Sequence, residues 1–271
     1  MVIRKIELAD FSLSMFEQGS GVPLLLVHGF PLDHTMWAEQ CADLSVDYRV
    51  LAPDLRGFGS SDGIDVTEYS MQCFADDLAN LLDTVGVDEP IVFCGLSMGG
   101  YIAWQFWQHH RERLRALILC DTRAAADADE VARARRYMAN HVMSEGTASL
   151  GAGMVTKLFS QATLDQSGPQ LAQVRQVIAA AKPESIAAAQ RGMAARPDMT
   201  EYLSQIDLPT LLIAGEEDVI TTADEMRTIS QQLPKSEFHL IAQAGHMAPT
   251  EQPQAVNTII RQFLTQANLE C

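Results

Sequence analysis

Five short, uninterrupted apolar segments constrain the fold of this 271-residue chain more than any other feature of its sequence. They are VPLLLVHG, YRVLAPD, PIVFCGL, LRALILCD and LPTLLIAG. Such runs are typical of parallel strands that helices cover on both faces of a sheet. Segments with apolar residues at helical spacing separate them, so strand and helix alternate along the chain. The alternation predicts a doubly wound α/β sheet whose binding site lies at the carboxyl ends of the strands.

Two further segments complete the predicted architecture. The amino-terminal segments IRKIEL and FSLSMF alternate polar and apolar residues, which predicts an antiparallel hairpin with one wet face at an edge of the sheet. From Thr122 to Asp207 the strand pattern is absent, and Ala, Met, Arg and Gln recur at helical spacing. We therefore predict a core domain over residues 1–121 and 208–271, with a helical cap over residues 122–207.

Composition narrows the classes of function. The chain has 19 Lys and Arg against 35 Asp and Glu, and the net charge of −16 gives a field that repels nucleic acid and anionic membranes. Its five cysteines include no Cys-x-x-Cys pair, so neither a disulfide framework nor a thiolate zinc site is indicated. The amino terminus lacks the continuous apolar stretch of a signal peptide. We expect a cytoplasmic monomer or homodimer with buried free thiols, acting on small molecules.

The stretch CGLSMGG, residues 94–100, fits the pattern Gly-x-Ser-x-Gly with Ser97 at its centre. It lies between the predicted strand PIVFC and the helical segment YIAWQFWQHH. A tight strand-to-helix turn strains the backbone of its central residue and exposes that side chain at the edge of the sheet. The first N–H groups of the following helix then face any negative charge that develops beside Ser97. The turn is typical of a serine nucleophile.

A serine nucleophile needs a histidine base, and the histidine needs a carboxylate to orient it. Asp218 follows the strand LPTLLIAG, and His246 follows the next predicted strand in a Gly-His loop. The chain order Ser97, Asp218, His246 is the order that accompanies this turn, and all three residues follow strand ends at the same edge. Asp121 also ends a strand and is the alternative acid.

The loop VHGFPLDHTMW predicts the rest of an oxyanion hole. The N–H of Phe30 joins the N–H of Met98 there, whereas Pro31 has no N–H to donate. Among the other histidines, we interpret His28 as a loop-packing residue and His34 as a residue of the surface or pocket rim.

Four residues are predicted to contact the substrate. An aromatic side chain lines the acyl pocket, a guanidinium pairs with a substrate carboxylate, and two methionines form an adaptable apolar roof. These residues are Trp37, Arg123, Met138 and Met143. We interpret Arg56 as a residue that organises its loop by packing with Asp54.

Several motifs, in order along nearly the whole chain, resemble the α/β-hydrolase superfamily, and most closely its lidded esterases and enol-lactonases. The motifs are HGF at 28–30, DLRGFGSSD at 54–62, GLSMGG at 95–100, AGEED at 214–218 and AGHMAPTEQP at 244–253. The resemblance implies a mostly parallel eight-stranded sheet with a cap after the sixth strand. It also implies that Ser97 is the nucleophile, His246 the base and Asp218 the acid, with no cofactor or metal. A serine at position 97 excludes the epoxide-hydrolase and haloalkane-dehalogenase branches, which have aspartate there.

The predicted function is hydrolysis of small carboxylic esters through an acyl-enzyme. An enol-lactonase acting on a small acidic lactone is the nearest alternative, and Arg123 favours it. Carbon–carbon hydrolases and perhydrolase-type haloperoxidases share the same triad.

Two alternatives belong to other classes of function. A nucleotide-binding α/β protein would use GLSMGG as a phosphate loop, but its glycines match neither Gly-x-Gly-x-x-Gly nor the P-loop. A non-catalytic binding relative would be expected to have a broken triad, and the Ser, Asp and His set here is complete.

Overall fold

Eight strands form one sheet in the computed structural model, which describes residues 2–63 and 65–267. The strands are β1 Val2–Glu7, β2 Ser12–Gln18, β3 Pro23–Val27, β4 Arg49–Pro53, β5 Ile91–Leu96, β6 Leu114–Cys120, β7 Thr210–Gly215 and β8 Ser236–Ile241. Their spatial order is β1-β2-β4-β3-β5-β6-β7-β8. Strand β2 is antiparallel to β1 and to β4, and every other neighbouring pair is parallel. The predicted mostly parallel α/β sheet is confirmed.

The central strands are mostly apolar because both of their faces are buried. In β3, Leu25 and Val27 belong to one hydrophobic cluster, whereas Leu24 and Leu26 belong to the cluster on the opposite face. Side chains alternate between faces with a period of two, so an uninterrupted apolar run serves both clusters. This arrangement explains why the five apolar segments predict the centre of the sheet.

Helices outside the β6–β7 connection cover both faces of the sheet. They are α1 Ala38–Leu44, α2 Met71–Thr84, α3 Met98–His110, α9 Ala223–Gln232, α10 Ala248–Glu251 and α11 Pro253–Gln266. Helices α2, α3 and α9 contribute to the cluster that contains Leu25, and α1 and α11 contribute to the cluster that contains Leu24. Helix α2 begins where the Ser70 side chain accepts a hydrogen bond from the N–H of Cys73.

Between β6 and β7 the chain forms helices and, in the described residues, no strand. The α-helices are α4 Asp129–Glu145, α5 Ala148–Leu158, α6 Gln161–Gln166, α7 Pro169–Ala180 and α8 Pro183–Ala194. A 3₁₀ helix at Thr200–Gln205 leads back to the sheet. The helical insertion after the sixth strand is therefore present, while its division from the core at residues 122 and 208 stays a prediction of the sequence.

Four cysteines lie within the described residues, and all four are free thiols. Cys41, Cys94 and Cys120 are free and buried, whereas Cys73 is free and only half-buried. Cys271 lies outside the described residues. Within residues 2–63 and 65–267, every helix is too short or too polar to cross a lipid bilayer.

Candidate active site

Ser97 occupies the turn between β5 and α3. Its backbone has φ 55° and ψ −110°, a conformation that residues other than glycine rarely adopt. Two hydrogen bonds hold this strained backbone. The N–H of Ser97 donates to the carbonyl of Cys120 at 2.9 Å, and the carbonyl of Ser97 accepts from the Thr122 hydroxyl at 2.8 Å. The turn is thus fixed against the end of β6, and Ser97 is left half-buried at the sheet edge.

The glycines around Ser97 allow backbone segments to approach each other closely. A Cβ atom on Gly95 would lie 2.4 Å from the carbonyl oxygen of Gly99, and one on Gly99 would lie 2.3 Å from that of Val27. Both distances are far below a van der Waals contact, so strand, turn and helix pack together only without side chains. Close packing accounts for this glycine pattern without a bound phosphate.

Asp218 and His246 form the hydrogen-bonded pair that the sequence predicts. The Nδ1–H of His246 donates to Oδ2 of Asp218 at 2.7 Å, and both residues are buried. The other Asp218 oxygen, Oδ1, accepts the N–H groups of Ile220 at 2.7 Å and Thr221 at 3.1 Å. With its proton on Nδ1, the imidazole keeps an unprotonated Nε2, which is the form that a general base requires.

Asp121, the alternative acid, lies beside this pair without replacing Asp218. One oxygen each of Asp121 and Asp218 and one ring nitrogen of His246 lie within 4.8 Å of one another. Oδ1 of Asp121 accepts the N–H of Gly215 at 2.8 Å. Because the Nδ1 bond of His246 goes to Asp218, the geometry favours Asp218 as the partner of the imidazole.

The loop after β3 packs directly against the Ser97 turn. A Cβ atom on Gly29 would lie 3.4 Å from the Cβ of Ser97, so the backbone that precedes Phe30 is next to the predicted nucleophile. Phe30 and Met98 are both buried. This packing places the two predicted oxyanion donors on the two backbone segments that flank Ser97.

His28 organises this loop through both of its ring nitrogens. Its Nε2 accepts the N–H of Leu55 at 3.0 Å, and its Nδ1 therefore carries the proton and donates to the carbonyl of Gly29 at 2.9 Å. Burial lowers the pKa of His28, which keeps the ring neutral. The loop-packing interpretation of His28 agrees with these contacts.

The sequence matches known proteins over most of its length. Residues 22–253 match the family model of the alpha/beta hydrolase fold. The chain belongs to the α/β-hydrolase family. One curated α/β-hydrolase relative is 3-oxoadipate enol-lactonase 1 of Acinetobacter baylyi, which is 33% identical over 233 residues. That alignment covers 86% of this chain and 84% of the relative.

Two solved structures extend the comparison. A malate-bound thermophilic esterase of Thermogutta terrifontis is 41% identical, with a TM-score of 0.94, and the match covers 98% of this chain and 99% of the esterase. The enol-lactonase of Burkholderia xenovorans is 26% identical, with a TM-score of 0.89, and the match covers 97% and 100% of the two chains. Esterases and enol-lactonases are thus both among the α/β-hydrolases that this chain resembles.

Asp54 and Arg56 have different partners from those predicted. Oδ1 of Asp54 binds both the backbone N–H and the Nδ1 of His34, at 2.8 and 2.6 Å. Burial opposes a charge on His34, but the hydrogen bond and the negative charge of Asp54 outweigh it and raise the pKa of His34. Arg56 pairs with Asp77 on α2 instead. The predicted packing of Arg56 with Asp54 is wrong, because the loop after β3 brings His34 to that carboxylate.

Trp37 and Arg123 lie in surroundings that limit contact with a substrate. Trp37 is completely buried in the cluster that contains Leu24, which leaves no exposed surface for a ligand. The guanidinium of Arg123 donates to the carbonyl of Ile220 and lies 3.3 Å from a carboxylate oxygen of Glu225. Its charge is therefore already paired, at the loop that carries Asp218.

The two predicted roof methionines differ in exposure. Met138 is half-buried and packs against the cluster that contains Phe30 and Met98. Met143 exposes 50% of its surface, which places it on the outer side of α4. Only Met138 is placed to contribute to an apolar roof in this conformation.

Glu251 is a site residue that sequence reasoning missed. Its Oε1 accepts the N–H of Gly245 at 2.7 Å, and its Oε2 accepts the N–H and the hydroxyl of Ser160 at 2.9 and 2.7 Å. The carboxylate thereby links the His246 loop to the turn between α5 and α6. Its position in the motif AGHMAPTEQP, five residues after His246, is the sequence feature that could have identified Glu251 as a site residue.

Proposed function

We propose that this α/β-hydrolase cleaves carboxylic esters of small molecules through Ser97, His246 and Asp218. The observation that carries the proposal is the bond from His246 Nδ1 to Asp218, at the sheet edge where the strained turn presents Ser97. A paired imidazole and a serine at a strand-to-helix turn are the parts that acyl transfer requires. The similarity to an esterase over nearly the full length supports the same chemistry.

In the proposed reaction, Oγ of Ser97 attacks the ester carbonyl while Nε2 of His246 takes the hydroxyl proton. The N–H groups of Phe30 and Met98 donate to the oxyanion, and Asp218 stabilises the imidazolium. Collapse of the tetrahedral intermediate breaks the bond to the leaving oxygen, which receives the proton from His246. Water, deprotonated by His246, then attacks the acyl-enzyme and releases the acid and free Ser97.

Hydrolysis of p-nitrophenyl acetate and p-nitrophenyl butyrate, with labelling by a fluorophosphonate probe, tests the proposal. We expect turnover of both esters and covalent labelling of Ser97. Ser97→Ala should lower kcat by up to about 10⁶, the loss found when a triad serine is removed from other hydrolases. Ser144→Ala, an exposed serine on α4, is the matched control and should keep both activity and labelling. Turnover that survives Ser97→Ala would contradict the assignment.

Enol-lactone hydrolysis is the second candidate, and the 33% identical enol-lactonase of Acinetobacter baylyi favours it. The same triad opens a lactone, with the leaving enol oxygen held in the acyl-enzyme product. The pairing of Arg123 with Glu225 and Ile220 removes the cation that we predicted for a substrate carboxylate. We therefore rank neutral esters above acidic lactones, and kcat/KM values for the two substrate classes decide between them.

A cavity borders the loop after β3, and its lining residues include none of the proposed triad or oxyanion residues. Its volume is about 310 Å³, and its lining includes Pro31 from the loop after β3, Gly57 from the loop after β4 and Gln176 from α7.

Small-molecule partners, rather than nucleic acid or membranes, remain part of the proposal, and so does a cytoplasmic location. The free cysteines Cys41, Cys73, Cys94 and Cys120 are compatible with that location.

A further inference from the structure

Asp121 is a fully buried carboxyl group that the proposed mechanism does not use. It directly follows β6, has a positive φ of 46° and exposes 0% of its surface. Oδ1 accepts the N–H of Gly215, but the buried Oδ2 accepts no hydrogen bond from the residues that the structure describes. An acceptor oxygen left unpaired inside a protein is costly, and an unpaired charge there is more costly still.

Within the part of the chain that the structure describes, the groups that act on Asp121 include no lysine or arginine that would compensate an ionised carboxylate. The titratable groups that face it are Asp218 after β7, His246 after β8 and the neighbouring thiol of Cys120 on β6. His246 already donates its Nδ1–H to Asp218, and the nearby Arg123 is paired with Glu225. Two adjacent buried carboxylates sharing one imidazole would repel each other.

Asp218 has an unused place for one more donor. A carboxylate offers about four lone-pair sites. Three hydrogen bonds to Asp218 are identified, from the N–H groups of Ile220 and Thr221 and from Nδ1 of His246. A proton on Oδ2 of Asp121 would supply the fourth and would also give that buried oxygen a partner.

We propose that Asp121 holds a proton on Oδ2 and donates it in a hydrogen bond to Asp218, as a positioning residue for the triad acid. The inference rests on the function proposed above, because it assigns Asp121 a role through Asp218. Burial and the negative charge of Asp218 raise the pKa of Asp121 well above its usual value, which agrees with a proton held at neutral pH. The hydrogen bond disperses the charge of Asp218 and fixes its orientation towards His246.

Asp121→Asn separates a protonated Asp121 from an ionised one. Asparagine is neutral, its amide N–H can donate to Asp218, its oxygen can accept the N–H of Gly215, and it tolerates a positive φ. We expect the variant to keep kcat and the acid limb of the kcat/KM pH profile. If Asp121 were ionised, its replacement would remove a negative charge beside His246, and the limb would move to lower pH by about one unit. Such a shift would overturn the proposal.

Asp121→Ala removes the donor and provides the complementary measurement. We expect kcat to fall about tenfold or more with KM unchanged, because a hydrogen bond to a charged acceptor is lost. Asp121→Asn should restore kcat. If Asp121 only filled space, its loss would not be expected to change kcat while leaving KM unchanged. An alanine variant as active as the wild type would also overturn the proposal.

A measurement without turnover keeps the inference testable if the alanine variant does not fold. The infrared difference spectrum between Ser97→Ala and Ser97→Ala/Asp121→Asn should contain the carbonyl stretch of one protonated carboxyl group at neutral pH. A carboxylate band in its place would show that Asp121 is ionised. Both proteins lack Ser97 and the spectrum requires no turnover, so this result is independent of the proposed esterase activity. The rate of Ser97→Ala and the probe labelling test that activity separately.

Discussion

Glu251 holds the backbone N–H of Gly245, the residue directly before His246, in a hydrogen bond of 2.7 Å. Its second oxygen accepts the N–H and hydroxyl of Ser160, which lies in the turn between α5 and α6. One carboxylate therefore connects the loop of the predicted catalytic base to the helical insertion between β6 and β7. Charge-assisted hydrogen bonds of this kind are about twice as strong as neutral ones.

The first prediction concerns this link. Glu251→Gln should lower kcat about tenfold. In the wild type, both carboxylate oxygens of Glu251 accept hydrogen bonds, but the amide of glutamine has only one accepting oxygen, so one set of donors loses its partner. Initial rates with p-nitrophenyl butyrate, fitted for kcat and KM separately, measure the effect. Glu217→Gln is the matched control, since Glu217 accepts the N–H of the adjacent Gln161 at 3.2 Å. An equal loss in both variants would mean that contact with the insertion, rather than the His246 loop, sets the rate.

Local sequence patterns account for the fold and the pairing of Asp218 with His246. The uninterrupted apolar runs predict the parallel strands because burial on both faces demands apolar residues throughout. Asp218 and His246 could be predicted to meet because each directly follows a strand, and parallel strands bring their carboxyl ends to one edge. The positions of residues that directly follow a strand can therefore be predicted from the sequence.

Contacts between side chains of different loops were less predictable. Arg123 follows a strand end, as expected, yet its guanidinium turns towards Glu225 on α9. Asp54 likewise binds His34, 20 residues earlier in the chain. In β2 the alternation predicted a wet face, but Ser14 is buried and its N–H donates to the Ser61 hydroxyl, because the loop after β4 reaches this strand. Such pairings depend on how loops fold over the sheet. The periodicity of a short sequence segment does not predict that arrangement.

Arg123 provides a second prediction about substrate choice. Arg123→Met should reduce kcat/KM for neutral esters and for acidic lactones by the same factor, because the guanidinium supports the carbonyl of Ile220 in the Asp218 loop. The ratio of the two kcat/KM values is the quantity to measure. Glu225→Gln removes the ionic partner of Arg123 but keeps the hydrogen bond from its guanidinium to the carbonyl of Ile220, so it should leave that ratio unchanged as well. A selective loss of lactone hydrolysis in Arg123→Met would restore the carboxylate-binding role predicted from the sequence.

His28 is the subject of a third prediction. His28→Phe keeps a planar ring but leaves the buried N–H of Leu55 unpaired, which should lower the free energy of unfolding by about 1–3 kcal/mol. Urea denaturation at neutral pH measures this loss. His109→Phe, at an exposed position on α3, is the control and should change stability far less.

The effect of His28→Phe should also depend on pH. Burial lowers the pKa of His28 in the folded protein, whereas in the unfolded chain a histidine binds a proton near pH 6.5, at about its ordinary pKa. The contribution of His28 to stability is therefore complete above about pH 6.5 and declines as the pH falls below that value. The stability difference between wild type and His28→Phe should shrink on acidification. A difference that stays constant with pH would argue against a neutral, buried imidazole.

Asp121 should show the opposite pH dependence, which gives the fourth prediction. Burial and the charge of Asp218 raise the pKa of Asp121 in the folded protein, while an aspartate in the unfolded chain titrates at about 3.9. Above that pH the folded state holds a proton that the unfolded chain has lost. The contribution of Asp121 to stability is thus complete below about pH 3.9 and decreases as the pH rises towards its folded pKa, by up to about 1.4 kcal/mol per pH unit. Asp121→Asn binds no proton in either state, so its stability relative to the wild type should increase from acidic to neutral pH in urea denaturation, whereas an ionised Asp121 predicts no such rise.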